Sequence, residues 1–183
     1  SSLTDISNVK GNETFSQNGT DMSWNTSGQD IYYQGKTDKK LPVSMKITYK
    51  LDGKEIAAKD LPGKSGKVEI HVQYTNNSKQ TKTIQGKKET IYTPFVMVTA
   101  MILSNDNFSN VEIDNGRVIN EGSNNIVVGI GMPGMADSLD LDKDLSDKIT
   151  SDFTIKADAK DFTMGNTYTY GSASLLNDID LDD

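Results

Sequence analysis

Three groups of side chains in this sequence have the type and spacing to do chemistry. The single histidine, His71, stands between Glu69 and Gln73 in a run that alternates apolar and polar residues. Residues two apart share a face of an extended segment, so these neighbours follow from strand geometry and do not make a catalytic cluster. An exposed, solvated imidazole is the favoured reading. Asp140, Asp142 and Asp144 form the second group, alternate carboxylates of the kind that converge on calcium. They fail the EF-hand pattern, because the sixth position is Leu145 where glycine is needed and the twelfth is Ser151 where a bidentate glutamate is needed. A solvated acidic segment fits better. Calcium on these aspartates is the one cofactor the residues suggest, and otherwise none is expected. The third group is aromatic: Trp24, Tyr32 and Tyr33 could stack against sugar rings, making them candidate ligand-binding residues. The competing reading, which we favour, is that Phe15, Trp24 and one or both tyrosines form the core of a small hairpin unit.

Other chemistries lack an anchor. The chain has no cysteine, which excludes a disulfide framework, a thiolate metal site and a cysteine nucleophile. No Gly-x-Ser-x-Gly elbow is present, and no glycine-rich phosphate loop is expected between a strand and a helix. Paired carboxylates for glycoside hydrolysis are spatial by nature, and nothing singles out a pair. The expectation is therefore a protein that is not an enzyme. A formal net charge of −7 gives a negative field that repels phosphate backbones, so nucleic acid is not an expected partner. No window approaches the roughly 20 apolar residues of a membrane span. The opening Ser-Ser-Leu-Thr, without Met, reads as an excised fragment whose flanks have been removed.

The elements that must position these residues read as strands. Val43, Met45, Ile47, Tyr49 and Leu51 alternate with polar residues, Asp52-Gly53 supplies a tight turn, and Val68, Ile70, Val72 and Tyr74 resume the alternation. Asn18-Gly19, Gln85 to Lys88 and Asp114-Asn115-Gly116 each predict a further hairpin. Phe95 to Leu103, the most apolar run, predicts a central strand covered on both faces. Asp137 to Lys148 alone looks helical, or is an acidic loop. A strand at Phe153 to Ala157 and a last one through Tyr168-Thr169-Tyr170 complete an all-β, immunoglobulin-like β-sandwich with little helix. The expected division is an N-terminal β-meander, 1–40, packed on a main sandwich, 41–183.

Several segments also resemble a known family. Leu41-Pro42-Val43 with Ile47-Thr48-Tyr49, Leu51 to Ile56, Gly63 to Val68, Tyr74 to Asn77, Asn107 to Val111 and Gly116 to Asn120 carry the resemblance, with Val128-Gly129, Pro133-Gly134 and Asn177 to Asp183. They are similar to the extracellular region of large Gram-positive surface proteins, the YhgE/Pip (phage infection protein) group and those named for Leu-x-x-Gly heptad repeats. The resemblance implies an extracellular, cell-surface location and a heptad stalk and membrane anchor beyond Asp183. It brings no catalytic residues. The expected role is a non-catalytic, adhesion-like interaction or spacer domain whose partner is a protein or glycan at the cell surface. The alternative is a carbohydrate-binding module built on the N-terminal aromatics.

Overall fold

The computed structural model describes residues 3–84, 86–139 and 149–173. Strands make up 60% of the chain and helix 4%, so the class is all-β, as the alternation predicts. The chain divides into two compact units, Ser1–Lys40 and Leu41–Asp183.

The first unit contains β1 (Thr4–Lys10), β2 (Phe15–Asn18), β3 (Asp21–Trp24) and β4 (Tyr32–Lys36). β2 and β3 form the hairpin expected at Asn18-Gly19, with Phe15 opposite Trp24. β1 pairs with β4, so the ladders are nested, where a meander would pair each strand with the next. β1 is polar and irregular: Asp5 has φ 49°, and the register slips between Thr4 and Ser7 and again between Asn8 and Lys10. A strand of that kind leaves no clean alternation to detect.

In the second unit two antiparallel sheets face each other. One runs in the order β11 (Phe108–Ile113), β14 (Asp152–Ala159), β7 (Gly66–Asn76), β5 (Val43–Leu51), β6 (Lys54–Ile56). The other runs β12 (Gly116–Glu121), β13 (Asn124–Gly131), β10 (Val96–Ser104), β15 (Thr167–Ser172). β8 (Gln80–Ile84) and β9 (Lys87–Ile91) form a separate hairpin, and α1 (Met135–Leu139) follows β13. At the turn between β5 and β6, Asp52 and Gly53 both take positive φ, the conformation of a two-residue hairpin loop. Asp52 Oδ1 also accepts the Lys67 backbone N–H at 2.9 Å, fastening that turn to the start of β7.

The core lies between the sheets. Val68, Ile70, Val72 and Tyr74 from β7, with Phe153 and Ile155 from β14, meet Met97, Met101 and Leu103 from β10 and Val127 from β13. The Tyr74 hydroxyl crosses the interface to Thr99 Oγ1 at 2.6 Å, and Thr99 Oγ1 lies 2.7 Å from Thr169 Oγ1. Burial pushes the Tyr74 phenol pKa upward and the bond to Thr99 pulls it partly back. Phe108 and Phe162 add an edge-to-face pair at 5.3 Å.

Two expectations need correction. Asp114-Asn115-Gly116 does not close a hairpin: β11 and β12 belong to different sheets, and the turn carries the chain across the sandwich. Asn115 Nδ2 donates to the Ile130 carbonyl at 2.7 Å and to Thr150 Oγ1, while Asp114 Oδ1 accepts the Thr154 N–H. Those long-range bonds override a local hairpin signal, and β12 pairs with β13 instead. β10 is central, as expected, yet its second face is fully buried only at Val96. Met97, Thr99, Met101 and Leu103 are buried, whereas Ile102 on the opposite face is 41% exposed.

Candidate functional site

The aromatic candidates come together in part. Trp24 packs on Phe15 at 4.8 Å between ring centroids and on Tyr33 at 5.4 Å. Its Nε1 is buried and has no hydrogen-bond partner among the described residues. Tyr32, one residue from Tyr33 on β4, points to the other side of the strand, where Lys10 Nζ lies 4.8 Å from its ring centre. Trp24 and Tyr33 thus spend ring surface on each other, and the half-exposed Tyr32 and Tyr33 keep some of theirs. Trp24 is the only tryptophan in the chain. Its emission is expected to be blue-shifted, and several-fold less quenchable by acrylamide than that of free indole. An emission maximum near that of free indole, shifting when glycan is added, would restore the sugar-stacking reading.

The acidic stretch 140–148, and with it Asp140, Asp142 and Asp144, lies outside the described residues.

His71 has a partner that spacing does not disclose. Asp152 of β14 places Oδ2 2.9 Å from His71 Nε2 across 81 residues of sequence, so the reading of a merely solvated imidazole is corrected. A carboxylate has only lone pairs to offer, so Nε2 carries the proton in this bond. The pair sits on the outward face of the five-stranded sheet, where opposite charges alternate across four strands. Lys50, Glu69, Lys156 and Glu112 occupy neighbouring positions in register. Lys50 Nζ lies 3.8 Å from Glu69 Oε2. Among the described residues no hydroxyl bonds to the imidazole. Exposed cross-strand charge pairs of this kind contribute about 0.2–1 kcal/mol each.

Gly129, Gly131 and Gly134 do have the spacing of a dinucleotide-binding loop and run from β13 into α1, contrary to expectation. Their surroundings assign them another task. β13 is antiparallel to both neighbours, whereas that fingerprint belongs to a parallel strand–helix–strand unit. A Cβ on Gly129 would lie 2.4 Å from the Phe153 ring, and one on Gly131 2.5 Å from Tyr74. The absent side chains make room for two aromatic rings of the facing sheet.

The four-stranded sheet turns a different kind of face outward. In register across β15, β10 and β13 stand Tyr170, Val98 and Ile130; one step along stand Tyr168, Ala100 and Val128, with Arg117 beyond them on β12. A third row is Ile102, Ile126 and Ile119. Ile119 is 45% exposed, Tyr168 60% and Tyr170 63%. A continuous apolar sheet face carrying two open tyrosines and the chain's only arginine has the composition of a protein-binding surface. Sequence reading found β10, β15 and, as a hairpin arm, β12, but not the face itself, because alternation marks two sides without saying which is covered.

Comparison with known protein families, curated proteins and solved structures returned no match.

Proposed function

We propose that this chain is a non-catalytic, extracellular interaction domain of a membrane-anchored Gram-positive cell-surface protein. The resemblance supports the location, and the open apolar face of the four-stranded sheet supports the role. Tyr168, Tyr170 and Arg117 are residue types that dominate binding energy at protein interfaces, and here they lie beside aliphatic side chains that can exclude water. A spacer needs no such surface. Leaving it in water without a partner invites aggregation, a liability that a binding function offsets.

The test uses the 183-residue chain, immobilised, against a panel of purified bacterial-surface and host-surface proteins and glycans. The expected result is a protein partner whose binding falls at least tenfold with Ile102→Lys or Ile119→Lys. Unfolding midpoints of both variants should stay close to the parent, since exposed substitutions usually change stability by no more than about 0.5 kcal/mol. A panel without binders, or a partner indifferent to both substitutions, would leave only the spacer role. A glycan ligand displaced by changes at Tyr32 or Tyr33 would favour the carbohydrate-binding module.

A further inference from the structure

We propose that β15 is a receiving edge: an extended peptide segment with aliphatic side chains at alternate positions adds to it as another strand. This rests on the interaction role proposed above and names the partner chemistry. β15 pairs with β10 from Val96–Ser172 to Met101–Thr167 without a break in register. It is the last strand of its sheet, and from Thr167 to Gly171 no ladder lies on its other side among the described residues. A strand edge presents N–H and C=O groups in a row, and what satisfies them is another extended backbone.

The other edges of the sandwich are defended. β6 has only three residues and contains Lys54 and Glu55. β11 is interrupted by a register shift at Asn110, φ 52°, and carries Glu112. β12 carries Arg117 and Glu121. β15 has none of these devices. It lies within a stretch from Phe162 to Asn177 that contains no charged residue, in a chain that is 25% charged.

The side-chain preference comes from the cleft beside it. Between β15 and β5 of the facing sheet is an open cleft of about 340 Å³, lined mainly by apolar groups including Leu41, Val43, Met45 and Met97. On β15 the cleft-facing positions are Thr169 and Gly171, both exposed and both small, so they leave the space unfilled. Every second side chain of an added strand would enter that space, and aliphatic groups match its walls. The intervening side chains would lie against Tyr168 and Tyr170.

A second copy of the chain fits less well. β15 paired with itself would offer only Thr169 and Gly171 to the cleft, and six residues of strand bury a few hundred Å² against the roughly 1,200–2,000 Å² of a stable interface. Two chains of net charge −7 also repel one another. A neutral or basic peptide is free of that repulsion and brings aliphatic side chains to the cleft.

The probe is a synthetic eight-residue peptide alternating valine and threonine with a lysine at each end. It is titrated into the full chain while backbone amide signals are followed by NMR. Shifts are expected at Thr167–Gly171 and at Leu41 and Met45, with affinity at least tenfold above that of a peptide of the same composition whose valines are consecutive. Methylating alternate peptide nitrogens should abolish binding for one set and spare the other, the signature of a ladder. Leu41→Lys should weaken binding tenfold or more, while Ile119→Lys leaves it unchanged. Absence of shifts at millimolar peptide overturns the proposal. So does protection, in the free chain, of the β15 amides that point away from β10: protection that rises with concentration assigns the edge to a second copy, and protection lost on deleting Leu175 to Asp183 assigns it to the chain's own end. In each of those cases a partner sensitive to Ile119→Lys would still stand, so loss of the edge is distinguishable from loss of the interaction role.

Discussion

Gly129→Ala is expected to destabilise the sandwich by about 3 kcal/mol, at the upper end of what a single added methyl costs in a packed core. The new Cβ would lie 2.4 Å from the ring of Phe153, which is 1% exposed. That ring cannot swing away freely, because Tyr74 lies 6.3 Å from it and is itself held by Thr99. Relief requires either separation of the sheets or an off-rotamer ring, and both sacrifice contacts of the same core. Phe153→Ala is expected to cost about 3–5 kcal/mol for the opposite reason, a cavity where the ring stood. The decisive comparison is the double variant of Gly129→Ala with Phe153→Leu, measured by urea unfolding beside each single change. The smaller side chain gives the methyl room, so the pair should be more stable than the sum of its parts by about 1 kcal/mol or more. Additivity within about 0.5 kcal/mol would show that the two residues do not share this space.

Asn76→Asp, which changes one atom's identity and almost no volume, is expected to cost about 3–5 kcal/mol at neutral pH. Asn76 is buried at the end of β7, and its amide is fully employed. Nδ2 donates to the Thr93 carbonyl at 2.8 Å and to the Pro133 carbonyl at 2.9 Å. Oδ1 accepts the N–H and the hydroxyl of Ser78, whose oxygen in turn accepts the Thr93 N–H. One side chain therefore ties β7 to the segment before β10 and to the loop after β13. An aspartate in this position turns a carboxylate oxygen toward two carbonyls, leaving a buried charge without a donor on that side. Protonating the carboxyl removes the charge and restores one donor. The folded state therefore favours the protonated acid, and the deficit should shrink as the pH falls toward 4 and grow again as it rises. Thermal unfolding at pH 7 and pH 4 checks both magnitude and sign. A deficit independent of pH would mean that the site is open to water.

The local physics of single strands and two-residue turns was legible in the sequence. Alternation gave the inward set of β7 residue by residue and that of β5 apart from Met45, which is 42% exposed, and Asn18-Gly19 and Asp52-Gly53 gave their hairpins because positive φ is a local demand. What stayed hidden was set by partners distant in sequence. Asp114-Asn115-Gly116 has the signature of a hairpin, and only the bonds of Asn115 to Ile130 and Thr150 make it a crossing between sheets. Gly129 and Gly131 exist for rings on the opposite sheet. The partner of His71 is 81 residues away. Of the candidate surface, Ile102, Tyr168 and Tyr170 were read as strand residues, while their exposure depends on which side of the sheet the rest of the chain covers.

Leu41 and Gly171 line one and the same cleft, although the folded polypeptide between them makes up most of the chain. A path that enters at Leu41 and leaves past Gly171 therefore returns almost to its starting point. The second unit thus adds little distance between these two points of the chain. Tension along the path loads the sandwich at a single pole. There it pulls on the Val43 end of β5 and the Ser172 end of β15, parting the ladder bonds one after another from Val43–Asn76 and Val96–Ser172. Strands peeled in that way yield at lower force than strands sheared along their length. Pulling on residues 41 and 172 would thus open the β5–β15 side first and change the receiving edge before the rest of the fold responds.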